Sequence, residues 1–268
     1  MTHFFNKNKR NTELYIIGAG PGDPKLITLA ALDAIKSAKV ILYDHLINNE
    51  LLNFAKKECI KIFVGKKAYR HTIKQEEIHE LIRFYSLSTG NVVRLKGGDP
   101  YIFGRGYEEL QYAIAHDIRV TYIPGISSMQ TLGINQIPLT YRGVSDGIWA
   151  LTGTRSDGSL SADLYLAVKS KSTVVIYMGM SKLSEIASIY INAGKGNLPA
   201  CIIENGSMPQ QRLLFCQAKN LKIAATEKKF SNPAVIVIGN VVQLGNSIIE
   251  SAPSLINHLD ENKNFFED

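Results

Sequence analysis

The run Arg94-Leu-Lys-Gly-Gly-Asp-Pro-Tyr-Ile-Phe-Gly-Arg-Gly-Tyr-Glu-Glu109 links two kinds of chain. Ahead of it, Asn91-Val-Val-Arg-Leu95 reads as a short strand, and from Glu108 onward the pattern reads as a helix. Between them lie Gly97, Gly98, Gly104 and Gly106, an Asp-Pro pair and a bracket of cations. Glycine lets a backbone turn sharply and approach a ligand closely. A second loop of this kind stands near the start, Leu14-Tyr-Ile-Ile-Gly-Ala-Gly-Pro-Gly-Asp-Pro24. It also follows a β-branched apolar run. Asp23 reads as a helix N-cap with Pro24 as the first helical residue. Ile27, Ala31, Ala34, Ile35 and Ala38 then mark one apolar helix face. The spacing is G-x-G-P-G-D, whereas a dinucleotide fingerprint requires G-x-G-x-x-G. Pro21 removes an amide donor, and Asp23 sets a carboxylate where an anion would sit. No NAD site is expected there.

Strand candidates at 15–17, 40–43, 61–64, 92–95 and 119–123 alternate with helix candidates at 25–38, 48–55, 75–85 and 107–116. Such alternation predicts a mostly parallel sheet covered by helices. The later strand candidates, 148–152, 173–177, 200–204, 212–217 and 234–238, have one clear helix among them, at 182–193. That half is expected to be α/β with some antiparallel pairing. The apolar, turn-rich segment 133–143 is where the crossing between domains is expected. The expected layout is therefore a disordered arm at 1–12, domains at 13–135 and 136–250, and a polar tail at 251–268.

The 268 residues are 45% hydrophobic and 20% charged, as in an ordinary globular enzyme. No apolar run is long enough to span a bilayer, and the polar, basic first dozen residues do not form a secretory signal. The three cysteines, Cys59, Cys201 and Cys216, are isolated. They suit a reducing compartment and the core of a fold rather than disulfides or zinc. The six histidines show no metal-ligand spacing, so no metal is expected. The net charge of +6 fits an anionic partner. Its cations punctuate the glycine loops, with no basic helix or aromatic platform for nucleic acid.

Taken together, the two loops resemble those of the tetrapyrrole methylases, and within them the uroporphyrinogen-III C-methyltransferase branch. The resemblance runs from about Leu14 to about Leu244. It is carried further by Tyr43-Asp-His-Leu46, Val64-Gly-Lys66, Pro124-Gly-Ile-Ser-Ser128, Ile137-Pro-Leu-Thr140, Tyr177-Met-Gly179, Ile203-Glu-Asn-Gly206 with Gln211-Arg212, and Pro233-Ala234 leading to Gly239-Asn-Val-Val242. It implies two α/β domains with the site in the cleft between them, a cytoplasmic homodimer, and S-adenosylmethionine as methyl donor. The implied reaction methylates uroporphyrinogen III at C2 and C7 to give precorrin-2, on the way to sirohaem or cobalamin. Some relatives add an N-terminal dehydrogenase and chelatase module. With Gly18 preceded by only a short arm, none is expected here.

The resemblance also implies site residues. Asp44 and Lys66 fall where the family places a proton acceptor and donor. Asp44 also reads as a loop cap, and Lys66 as a charge partner for substrate carboxylates. Pro21, Gly97, Gly98, Asp99, Ile102, Ser127, Ser128, Met178 and Gly206 fall at the donor site. Asp99, Ser127 and Ser128 read equally as caps, and Met178 as core. Arg94, Lys96, Arg105 and Arg142 are the expected contacts for a polycarboxylate. The chain departs from the family at Tyr141 and Thr154, where the relatives commonly have His. Competing readings are a methyltransferase of this fold acting on another precorrin, and a nicotinamide-dependent oxidoreductase.

Overall fold

Apolar residues on both strand faces build the first sheet. In the computed structural model, which describes residues 12–65 and 73–251, β1 (Glu13–Gly18), β2 (Val40–Tyr43), β3 (Ile60–Phe63), β4 (Asn91–Lys96) and β5 (Arg119–Ile123) pair in the order β3-β2-β4-β1-β5. All the pairings are parallel. Alternate residues of each strand feed two cores. Ile17, Ile41, Val93 and Leu95 pack under α1 (Leu29–Ser37) and a 3-10 turn at Asn49–Phe54. Leu14, Ile16, Val40, Leu42 and Val92 pack under α2 (Gln75–Thr89) and α3 (Gly106–Ala115).

This layering locates a crevice. The chain leaving β1 passes to α1 on one face of the sheet, while the chain leaving the adjacent β4 passes to α3 on the other. Where neighbouring parallel strands diverge in this way, a gap opens beyond their carboxyl ends. Both glycine loops lie there.

The expected helix at 25–38 is divided. Asp23 does cap, but it caps a 3-10 turn, Pro24–Leu26, accepting from the Lys25 amide at 2.9 Å. The α-helix starts later, with Thr28 as its own cap through a 3.2 Å bond from the Ala31 amide. Two capping residues five positions apart make two short elements. The apolar face is as expected: Ile27, Ala31, Ala34, Ile35 and Ala38 are all buried.

The second unit begins at Ser128. That lies ahead of the segment 133–143, where the sequence suggested the crossing, because α4 (Thr131–Ile134) packs with the second unit. Thr131 abuts Gly206, and Ile137 abuts Gly245. Its sheet contains β6 (Ile148–Thr152), β7 (Thr173–Tyr177), β8 (Pro199–Glu204), β9 (Arg212–Gln217) and β10 (Ala234–Ile238), in the order β6-β7-β10-β8-β9. β6 and β7 are parallel, and the other pairings are antiparallel. β8 and β9 form the hairpin that the Asn205-Gly206 turn suggested. The last strand, β10, inserts between β7 and β8. α5 (Leu164–Ala167), α6 (Leu183–Asn192) and α7 (Leu221–Glu227) cover one core, and α8 (Val241–Ser251) buries Val241 and Val242.

The cysteines behave as core residues. Burial raises the thiols of Cys201 and Cys216 to about 12 and about 11, leaving them protonated. Among the described residues no helix is long and apolar enough to cross a membrane, and no His, Cys, Asp or Glu group could hold a metal ion. The expected arm and tail lie outside the described residues, apart from Thr12 and Ser251.

Candidate active site

At the carboxyl ends of β1, β4 and β5 three glycines touch backbone to backbone. A Cβ on Gly18 would meet Gly125 and the Gly98 carbonyl at 2.5 Å, and one on Gly125 would meet that carbonyl at 2.3 Å. Gly98 itself has φ +64°, a conformation costly for any other residue. The loops are also joined by hydrogen bonds. The amides of Ala19, Gly20 and Gly98 donate to the carbonyls of Lys96, Gly98 and Gly20, at 2.7, 3.3 and 2.8 Å. Pro21 has no amide to give. A phosphate cradle needs convergent free amides at a helix N-terminus. Here the amides of Ala19, Gly20 and Gly98 are engaged and α1 starts only after Thr28, so these three are not available to such a cradle.

Asp99 is buried and holds the second loop in shape. Its Oδ1 accepts from the Tyr101 amide at 2.8 Å, and its Oδ2 from the Tyr122 hydroxyl at 2.7 Å and the Gly125 amide at 3.1 Å. Tyr101 stacks on Tyr122 with ring centroids 3.9 Å apart. Phe103 and Arg105 both have positive φ, and Gly104 and Gly106 press on Pro100. Of the expected donor contacts on this loop, Gly97 packs on Leu46 and Ile102 donates its amide to the Asp99 carbonyl.

Beneath the loop lies a cluster of charges. Asp44 follows β2, and its Oδ1 accepts from Arg94 Nη2 at 2.6 Å. Arg94 Nε donates to Glu109 Oε1 at 3.1 Å, and Nη1 donates to the carbonyls of Leu42 and Leu95. Lys96 Nζ lies 3.0 Å from Glu109 Oε1 and 3.5 Å from Asp44 Oδ2. The side chains of Arg94 and Glu109 are 1% and 0% exposed, whereas that of Asp44 is 24% exposed. Asp44 is thus the member of the cluster that reaches solvent. Burial opposes its ionisation, but Arg94 and Lys96 outweigh that and hold its carboxyl below the ordinary Asp range. Burial and the Arg94 charge lower the Lys96 ammonium, against the pull of Glu109 and Asp44.

These placements differ from two expectations. Arg94 and Lys96 do not present their charges to a bound polyanion; they face inward and hold Asp44. Nor does Asp44 cap the turn at Asn49–Phe54, since Asn48 does so. Glu109, whose acid balances both cations, escaped the sequence reading. The available signal was two cations alternating on a strand that leads into a helix with an acidic first turn. Arg105 is exposed and pairs with Glu108 at 2.6 Å, and Arg142 is exposed. Lys66 lies outside the described residues.

In the second unit the expected donor contacts lie on turns. Met178 follows β7 with φ +53° and is 48% exposed. A bulky residue held in that conformation and left open to solvent is strained, as functional residues often are. The Thr154 hydroxyl donates to the Met178 carbonyl at 2.8 Å. Gly206 sits in the β8–β9 connection, and a Cβ there would lie 2.8 Å from Thr131. Ser128 opens a 3-10 turn. Ser127 is buried at the end of the first unit.

Residues 13–222 match the family model of the Tetrapyrrole (Corrin/Porphyrin) Methylases. Over 237 residues, 87% of this chain, the sequence is 38% identical to the chloroplastic S-adenosyl-L-methionine-dependent uroporphyrinogen III methyltransferase of Arabidopsis thaliana. Over 233 residues, 86% of the chain, it is 39% identical to the uroporphyrinogen-III C-methyltransferase of Bacillus subtilis. The match spans 64% of the plant protein and 91% of the bacterial one. Among solved structures, the fold is similar to a Thermus thermophilus uroporphyrin-III C-methyl transferase complexed with S-adenyl homocysteine. The TM-score is 0.75 at 35% identity, over 87% of this chain and 99% of that one.

Proposed function

This chain belongs to the tetrapyrrole methylase family, and on that premise we propose that it transfers methyl groups from S-adenosylmethionine to C2 and C7 of uroporphyrinogen III, giving precorrin-2. The observation that carries the reading is the crevice beyond β1 and β4. The amides of Ala19, Gly20 and Gly98 there are engaged and Pro21 has none, which supports a phosphate-free nucleoside over a dinucleotide. Beside it stands Asp44, a carboxylate kept ionised and partly open to solvent.

The donor supplies an electrophilic methyl group. A pyrrole carbon attacks it, the carbon–sulfur bond breaks, and S-adenosylhomocysteine leaves. The protein needs no nucleophile of its own. Alignment of the two reactants alone is worth roughly 7–11 kcal/mol in such a transfer. The macrocycle must then lose a proton, and Asp44 accepts it. Arg94 and Lys96 fix the Asp44 carboxylate in place. Arg105 and Arg142, both exposed, take substrate carboxylates, and Lys66 serves as proton donor. Pro21, Gly97, Gly98, Ile102, Ser127, Ser128, Met178 and Gly206 contact the donor. Asp99 contributes chiefly by shaping the loop. Under this reading the protein is a cytoplasmic homodimer that uses neither metal nor nicotinamide.

Titration calorimetry with S-adenosylhomocysteine and with NADH tests the reading. Binding of the first and no heat from the second is the expected result. Tight NADH binding without a response to S-adenosylhomocysteine would favour an oxidoreductase.

A further inference from the structure

Three expected donor contacts of the second unit, Ser128, Met178 and Gly206, come from three separate segments. What holds these segments together is a set of residues that none of the family motifs singled out as binding the donor. The Met129 amide donates to the Tyr177 hydroxyl at 3.2 Å, which ties the turn at Ser128 to the strand end that carries Met178. The Thr131 hydroxyl donates to the Ser128 carbonyl at 2.6 Å, while its side chain fills the space against Gly206.

The joint is completed by two carboxamides. Asn135, which is 2% exposed, donates from Nδ2 to the Thr131 carbonyl at 2.7 Å and to Gln211 Oε1 at 3.2 Å. Gln211 Nε2 donates back to Asn135 Oδ1 at 2.7 Å. Gln211 Oε1 also accepts from the Ser207 amide at 2.7 Å, next to Gly206. The pair is reciprocal, so each member must both donate and accept, and only an amide does so in this geometry.

We propose that Asn135 and Gln211 are positioning residues for the methyl-donor site, acting as a clasp that sets the gap between the Ser128 turn and the Gly206 turn before the donor arrives. The inference rests on the reading of Ser128, Met178 and Gly206 as donor contacts. The physical argument is preorganisation. Two turns that are free to part must be ordered when the ligand binds, and that cost is subtracted from affinity. A buried, reciprocal amide pair removes the cost in advance. Because the clasp is neutral, its effect does not follow pH.

The test uses the full chain with S-adenosylhomocysteine as the probe. Asn135→Ala and Gln211→Leu each break the reciprocal pair. Each should weaken S-adenosylhomocysteine binding about tenfold, the scale of one lost buried hydrogen-bonding arrangement. The double variant should be little worse than either single one, since the clasp is lost only once. KM for S-adenosylmethionine should rise in step while KM for uroporphyrinogen III stays within about twofold, a split that general loosening of the fold would not produce. Gln211→Asn retains the amide but shortens its arm, so it tests the geometry with the least risk to folding; it should also bind more weakly. Wild-type affinity in folded Gln211→Asn or Asn135→Ala, or equal losses for both substrates, would overturn the clasp alone. Failure of the wild-type protein to bind S-adenosylhomocysteine would overturn the donor-site reading beneath it.

Discussion

Asp44 joins sequence to chemistry at the scale of one side chain. Its carboxylate ends a buried strand, pairs with Arg94 at 2.6 Å, and is the most exposed member of its cluster. Asp44→Asn should slow turnover sharply while S-adenosylhomocysteine affinity stays within a few-fold. Removal of a proton needs a base, whereas binding the donor does not. Wild-type turnover would leave Asp44 a structural group. Arg94→Met asks the converse question. It leaves Glu109 and Asp44 to share Lys96 as the cluster's remaining cation, and loss of one partner from a buried ion pair costs roughly 3–5 kcal/mol. It should also raise the Asp44 carboxyl and move the acid limb of the pH–kcat profile upward. A variant that kept full stability and an unmoved acid limb would show that Arg94 does not hold Asp44. The position of Asp44 was legible, because a polar residue ending an apolar strand marks the edge of an α/β sheet. The inward turn of Arg94 was not. An arginine before a glycine loop reads as an anion contact, and its partner Glu109 lies fifteen residues away on a helix whose packing is tertiary.

At the scale of elements, the glycine loops owe their composition first to each other. Gly18 and Gly125 leave no room for Cβ atoms against each other and the Gly98 carbonyl, and Gly98 bridges Gly20 in both directions. Gly98→Val should therefore lower the thermal midpoint as well as weaken S-adenosylhomocysteine binding. A β-branched residue at φ +64° is strained by roughly 1–3 kcal/mol before any ligand is considered. Unchanged stability and unchanged affinity would together contradict this account of the loop. The parallel sheet was legible because buried strands alternated with helical periods. The order of the second sheet was not. Turn chemistry identifies the β8–β9 hairpin, but which strands flank β10 depends on pairing across long stretches of chain. The four-residue α4 was equally invisible, being too short to show a period.

For the molecule as a whole, two lowered carboxylates bear on acid stability. Burial opposes ionisation of Asp44, which Arg94 and Lys96 outweigh; burial likewise opposes that of Glu204, which Arg212 and Ser231 outweigh. Groups whose folded pKa lies below the unfolded value add stability above the unfolded value, near pH 4, and lose it as pH falls through the folded one. These two groups should leave the thermal midpoint level between about pH 5 and 7 and lower it below about pH 4. Glu204→Gln should flatten part of that acid decline, and an unaltered decline would show that the Glu204–Arg212 pair does not contribute. The central claim is more direct: an anaerobic incubation of the purified protein with uroporphyrinogen III and methyl-labelled S-adenosylmethionine, followed by the mass of the product. The account predicts a macrocycle carrying two labelled methyl groups, formed through a singly methylated intermediate. Unmodified uroporphyrinogen III, recovered under conditions where the protein binds S-adenosylhomocysteine, would contradict it and direct the search to another methyl acceptor.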